Sequence, residues 1–205
     1  MTTTQRLAAG VGNLKQRAVA CALRRLERLG ETGLGLREIA DELGAGVGSL
    51  YYYFDNKDAL LAELAIEGFH ELGRWMAMAA ENPPGERTTF NAAGHAYLGF
   101  TRHRPALYEL MYSQRLLASH ASVRRAEAEA FEIYRASLDG LGIAADQQAD
   151  VAYAFWALGR GIATACAASD EPGADKAVPQ RVIRGLEILV GHPIDILASR
   201  PRTAA

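Results

Sequence analysis

The stretch LREIADELGAGVGSLYYYFDNKDAL, residues 36–60, decides how this chain is read. A helix-turn-helix needs an apolar face on its first helix, a small residue where the helices pass closely, a glycine at the turn and an apolar anchor on the second helix. Ile39 and Leu43 supply the first face and Ala40 the small residue, while Ala45 and Leu50 close the small core. Gly44 stands at the turn, where glycine alone takes positive φ without steric penalty. On the second helix, Leu50, Tyr51 and Phe54 are expected to pack inward. Gly48, Ser49, Tyr52 and Tyr53 project the other way, with Val47 at the helix start. Two phenols and a hydroxyl on an outward face suit contacts to phosphates and base edges in a DNA major groove. Lys57 opens the next helix and would add charge to an N-terminus that already attracts phosphate. The alternative is an ordinary helical hairpin carrying an aromatic patch, although three consecutive tyrosines make an unfavourable surface without a partner.

Upstream of this stretch, Asn13 is placed to cap a helix running to Gly30, with Leu14, Ala18, Ala22, Leu26 and Leu29 at helical spacing. Downstream, Asn56 is the expected N-cap of a helix to about Glu81, with Asp58 favourably placed in its first turn. Asn82-Pro83-Pro84-Gly85 stops it. Further helices are expected over about 86–103, 105–113, 119–141, 146–168 and 180–190, with Ser169–Pro179 as a polar loop and a disordered tail after about Leu197. The chain therefore reads as all-α, with about nine helices and no strand. A helix-turn-helix domain over residues 1–55 and a C-terminal body over 56–205 share the helix 56–81.

Composition narrows the function. The 205 residues carry a net charge of −2, which argues against a generally basic nucleic-acid coat. The charge is uneven: Arg6, Lys15, Arg17, Arg24, Arg25 and Arg28 face only Glu27 in residues 1–30, a net of +5. A basic end on a mildly acidic body fits a protein that touches phosphate at one end, though solvated basic helix faces are also common. Cys21 and Cys166 lie far apart in apolar stretches, as expected of buried thiols in a reducing compartment. No apolar run approaches a membrane span or a secretory h-region, so a cytoplasmic protein with no membrane contact is expected.

The run IADELGAGVGSLYYYFDNKDALL resembles the DNA-binding signature of the tetracycline-repressor (TetR) family of regulators. Ile39-Ala40, Gly44, Leu50-Tyr51, Tyr53-Phe54, Lys57 and Leu60 all fall on its pattern, and the likeness covers roughly residues 14–65. The resemblance implies a homodimeric transcriptional regulator, most often a repressor, with a three-helix DNA-binding unit and an effector pocket in a helical body. It makes Tyr53 and Lys57 phosphate contacts and Val47, Gly48, Ser49 and Tyr52 the groove-facing set, on a pseudo-palindromic double-stranded operator. Family members usually carry Ser or Thr at the two caps of the motif. Here those positions are Gly35 and Gly46, which weakens each cap by only a few tenths of a kcal/mol but removes two hydroxyls. Val47 stands where a basic or polar residue is common.

The body resembles one C-terminal subclass of the family over 96–113 and 155–165, except that Arg160 stands where histidine is expected. Tyr97, Phe100 and Arg104 fall on one helical face. Tyr108, Met111 and Tyr112 follow, then Phe131 and Tyr134, then Tyr153, Trp156 and Arg160. These residues either line a pocket for a flat, mainly apolar small-molecule effector or form ordinary core. Arg104 and Arg160 each need an anion or an acid such as Glu109 or Asp150. The helices at about 146–168 and 180–190 carry Gly159, Gly161, Ala163, Ala165, Ala167 and Gly185, small residues suited to close packing across a two-fold axis. Glu67-x-x-His70 has the spacing of a di-iron bundle but has no second copy, and no nucleophile elbow, Walker loop or HExxH occurs. No enzyme activity, metal or cofactor is expected.

Overall fold

A computed structural model describes residues 3–83, 85, 88–169 and 173–190, and every regular element among them is helical. Helix α1 (Thr3–Leu29) leads through a 3₁₀ turn (Glu31–Gly33) into α2 (Leu36–Leu43) and α3 (Val47–Tyr51). Then come α4 (Lys57–Glu81), α5 (Thr89–His103), α6 (Pro105–Met111), α7 (Gln114–Ser119) and α8 (Ala121–Ala136), followed by α9 (Ala145–Ala167) and α10 (Ala174–Val190). The nine expected helices are present. The short α7 is an addition, built in a stretch too brief to show a period.

Local chemistry sets the boundaries where caps exist. Asn56 Oδ1 accepts from Ala59 N at 2.9 Å, starting α4 one residue after the cap. Thr88 Oγ1 does the same for α5 from Asn91 N at 3.2 Å, so that helix starts three residues later than the sequence predicts. Gly44 ends α2 in the left-handed conformation at φ 63°, as the turn requires. Gly35 and Gly46 are the caps of α2 and α3, and neither helix has a side-chain cap hydrogen bond.

Three further boundaries differ from expectation. Helix α1 begins near Thr3 instead of after Asn13, because Leu7, Ala8 and Ala9 propagate a helix through Gly10 and Gly12 despite about 1 kcal/mol for each glycine. Helix α10 begins at Ala174 and takes Pro179 inside it, although the sequence places that proline at the close of the preceding loop. Helix α8 ends at Ala136, and turns occupy the residues up to Gly140. The tail after Leu197 lies outside the described residues.

The chain divides into two compact units, Met1–Trp156 and Ala157–Ala205, and the 55/56 boundary falls inside the first. Helix α4 is the reason. It packs on α1 towards the helix-turn-helix and on α5, α6 and α8 towards the body, and buries Leu60, Leu61, Leu64, Phe69, Leu72 and Met76 at 1 % exposure or less. Gly68 on α4 lets α6 approach closely, since a Cβ there would stand 2.6 Å from Met111 Sδ and 3.1 Å from Leu107 Cδ1. Cys21 is fully buried in this core, and burial, with the neighbouring Glu42 carboxylate, pushes its thiol up to about 11. No helix of the described residues is long and apolar enough to cross a membrane.

Candidate nucleic-acid interface and aromatic cluster

The helix-turn-helix is built around Ile39, Ala40, Leu50 and Phe54, none more than 1 % exposed. From Leu50 the chain turns about 100° per residue, which places Tyr51 on the outside, Tyr53 close to the buried side and Phe54 inside. The structure follows that geometry: Tyr51 is 49 % exposed and Tyr52 79 %, while Tyr53 is half-buried against the core. The expectation that Tyr51 packs inward is therefore corrected, and Tyr53 trades much of its outward position for packing. Val47, Gly48 and Ser49 are exposed at the start of α3, as expected. Tyr52 and Tyr53 meet edge to face with centroids 5.1 Å apart, so each restricts the other's ring.

Lys57 Nζ donates to the Glu31 carbonyl at 2.7 Å, tying the start of α4 to the 3₁₀ turn. An ammonium has three donors, so this bond is compatible with a further contact to phosphate. Arg25 holds the same turn from α1, donating from Nε and Nη2 to the Gly33 carbonyl at 3.3 and 3.0 Å. Much of the basic N-terminal charge is used internally: Lys15 pairs with Glu63, and Arg24 and Arg25 both reach Glu42. Arg28 and Arg37 stay exposed.

Sequence reasoning missed the groups that tie this unit to the body. Glu27 is half-buried on α1, and its carboxylate accepts from Ala106 N at 3.3 Å and Leu107 N at 3.2 Å. Pro105 opens α6 without an N–H, so Glu27 satisfies the next two orphan donors of that helix from 79 and 80 residues away. Asp58 accepts from His120 Nε2 at 2.8 Å and also pairs with Arg115, whose Nη2 reaches Glu31 Oε1 at 3.2 Å. The single acid among the basic residues of α1 was the visible signal for Glu27. His120 and Arg115 had none, because their partners lie far away in sequence.

In the body, the structure gathers some of the predicted ligand residues and separates others. Trp156 is the hub, with centroids 5.1 Å from Tyr97, 5.7 Å from Phe131 and 5.8 Å from Tyr134. Tyr97 Oη lies 2.8 Å from Tyr108 Oη and 3.5 Å from Tyr112 Oη, forming a chain of phenols. Burial and these neighbours hold the Tyr97 phenol well above its usual value, and burial does the same at Tyr134. Phe90, which the sequence did not single out, lies tilted against Tyr134 with centroids 4.9 Å apart and meets Phe155 edge to face at 5.0 Å.

Phe100 instead packs on Trp75 at 5.7 Å, and Met111 is fully buried beside Gly68. Arg104 is the N-cap of α6 and pairs with Glu71 at 3.0 Å rather than with Glu109. Arg160 is half-buried in the second unit. The common face expected for Tyr97, Phe100 and Arg104 is thus divided, since Arg104 lies past the end of α5.

An all-α body joined to an N-terminal helix-turn-helix whose second helix exposes two tyrosines defines a DNA-binding regulator architecture. Residues 20–64 match the family model "Bacterial regulatory proteins, tetR family", and residues 90–181 match "Tetracyclin repressor-like, C-terminal domain". The chain belongs to the TetR family of transcriptional regulators. It is similar to an HTH-type transcriptional regulator of Mycobacterium tuberculosis, 27 % identical over 130 residues that span 62 % of this chain and 56 % of that protein. The chain therefore matches little more than half the length of that curated relative. Among solved structures, a protein of unknown function from Rhodococcus sp. RHA1 superposes with a TM-score of 0.68 at 27 % identity, covering 83 % of this chain and 92 % of that one. The multidrug binding protein EbrR, solved with ethidium, shares the fold at a TM-score of 0.61 and 23 % identity, over 83 % of this chain and 96 % of its own.

Proposed function

We propose that this protein is a homodimeric, ligand-responsive repressor that binds a pseudo-palindromic operator and leaves it when a small molecule binds the body. The observation that carries the reading is the exposed face of α3: Val47, Gly48, Ser49, Tyr51 and Tyr52 face solvent on a helix whose other side is fixed by Leu50 and Phe54. Two such helices related by a two-fold axis would enter successive major grooves about 34–36 Å apart. Tyr53 and Lys57 would hold phosphate, while Tyr51 and Tyr52 supply ring edges and hydroxyls to base edges. With glycines at both caps, hydrogen-bond readout is sparse, and contact of Val47 with thymine methyls takes a larger share. Such a protein acts in the cytoplasm, where the operator is.

The Trp156 cluster is the proposed effector site, formed by Tyr97, Tyr108, Phe131, Tyr134 and Trp156. Its rings already touch at edge-to-face distances, so a ligand enters by parting them, and a flat aromatic molecule replaces the lost ring contacts best. EbrR is bound to ethidium and to proflavin, both flat aromatic molecules, in the respective structures. Parting Tyr97 from Tyr108 moves α6. That helix is keyed to α4 at Gly68 and tied to α1 by Glu27. The reading is non-catalytic. Glu67 is paired with Arg74, and His70 lies 3.6 Å from Glu129.

The test is fluorescence anisotropy with the DNA upstream of the gene at ~100 mM salt. Tyr52→Ala is expected to weaken binding to the cognate site by about 1–3 kcal/mol with little effect on random DNA. Lys57→Ala is expected to weaken both and to lower the salt slope by about 1 for each subunit. Sequence-independent binding alone, or full affinity in the combined Tyr52→Ala/Lys57→Ala variant, defeats the reading.

A further inference from the structure

A groove of about 740 Å³ opens between α1 and α4, apart from the Trp156 cluster. Its floor is apolar, with Val19 and Leu23 from α1 and Ile66 from α4, all half-buried against the core. Tyr53, two residues past the end of α3 and the proposed phosphate contact, also lines it. Glu63 and Glu67 lie one helical turn apart on α4 and both line it. Lys15 is the single lining group of fixed positive charge, so with His70 neutral the lining carries a net of −1. Volumes of about 300–1,000 Å³ hold small-molecule ligands.

We infer that this groove is a second small-molecule site, selective for amphipathic organic cations with an aromatic body. The apolar floor takes the rings. The charge goes to the carboxylates, whose present partners are weak competitors: Lys15 and Glu63 are 41 % and 36 % exposed, Arg74 and Glu67 58 % and 39 %. Exposed pairs of this kind contribute little and are screened by salt. A ligand cation sits on a body that excludes water from the same carboxylates, and Tyr53 adds the negative face of a ring within the same groove. An occupant wedged here separates α1 from α4 and touches Tyr53 directly. It would therefore alter operator affinity without passing through the body, a consequence that rests on the DNA-binding reading above.

Binding itself is measured without DNA, by calorimetry with tetraphenylphosphonium and its neutral counterpart triphenylphosphine oxide. In Glu63→Gln/Glu67→Gln the lining charge changes from −1 to +1. The cation is expected to lose at least about ten-fold in affinity, while the neutral compound changes little. Ala20→Trp places an indole in the groove from an exposed position on α1, and is expected to abolish binding with unchanged melting. Trp156→Ala, in the other cluster, is expected to leave tetraphenylphosphonium affinity within about two-fold. No saturable binding up to ~1 mM, equal loss of cation and neutral compound, or loss in Trp156→Ala with none in the carboxylate variant overturns the assignment. If the variant profile holds and the protein binds its operator but the cation never alters that binding, the groove stands and its coupling to the operator fails.

Discussion

Gly46 and Gly35 occupy equivalent cap positions yet differ in what a side chain would meet. Gly46 has φ −66° and ψ 134°, an ordinary extended conformation, and a Cβ there would find only Ser49 Oγ at 3.9 Å. At Gly35 a Cβ would fall 1.9 Å from Glu38 Oε2 and 2.8 Å from its Cδ, so the Glu38 side chain would have to leave its place at the start of α2. Gly46→Ser gains a cap hydroxyl, worth a few tenths of a kcal/mol over glycine, and also restricts the unfolded chain by about 0.4–1 kcal/mol. The expected sum is about 1 kcal/mol, or a rise in Tm of roughly 2–4 °C for a domain of this size. Gly35→Ser is expected to give a smaller rise, because the exposed Glu38 side chain must first move aside. Parallel thermal melts followed by circular dichroism decide it, and an equal rise in both variants rejects the geometric distinction. The hydroxyl that Gly46→Ser introduces would also lie where family members place one, so tighter operator binding should accompany the higher melting temperature.

At the scale of elements, α6 is short and depends on another helix for its start. It spans Pro105–Met111, has no side-chain cap of its own, and receives its N-terminal acceptors from Glu27 on α1. A carboxylate at a helix N-terminus gains from both the hydrogen bonds and the helix dipole, about 0.5–2 kcal/mol in total. Glu27→Ala is expected to lower stability by about 1–2 kcal/mol and to speed hydrogen exchange at the Ala106 and Leu107 amides. Glu27→Gln, which keeps one acceptor oxygen, should fall between. Unchanged exchange at those two amides in Glu27→Ala would show that the bonds are not maintained in solution. This link also shows what the sequence could and could not disclose. The bounds of α2 and α4 were legible because Gly44 and Asn56 act on their immediate neighbours. The faces of Tyr51 and Tyr53 were not, because adjacency to Leu50 suggests inward packing, whereas 100° per residue turns the next side chain outwards. The start of α1 and the passage of α10 through Pro179 escape a local reading, since Gly10, Gly12 and Pro179 read as breakers yet lie inside the helices. The aromatic hub at Trp156 was legible as a composition of rings. Its separation from Phe100 and Arg104 was not, since it depends on where α5 stops and α6 begins.

At the scale of the whole molecule, operator binding in the proposed form requires two copies, because a pseudo-palindromic operator has two half-sites and a single α3 reads one of them. The proposed interface uses α9 and α10, over about 146–168 and 180–190. Each helix carries large apolar side chains that a lone chain leaves in water: Tyr153 is 68 % exposed and Phe155 42 % on α9, and Ile183 is 52 % exposed on α10. Gly161 and Gly185 face open space, with nothing within 4 Å of a Cβ, so a second backbone could come close at either helix. Obligate dimers commonly bury more than about 2,000 Å² and are apolar at the centre, and charges placed there are strongly unfavourable unless paired. Ile183→Glu on α10 and Tyr153→Glu on α9 are each expected to shift the protein from dimer to monomer in analytical ultracentrifugation. Both positions are exposed in the single chain, so the helical signal should be retained. Operator affinity should then fall steeply while non-specific affinity halves its salt slope, because each monomer carries half the phosphate contacts. Monomers that still bind the intact operator at wild-type affinity would separate DNA recognition from this interface. A dimer that survives both substitutions would place the two-fold contact elsewhere on the chain.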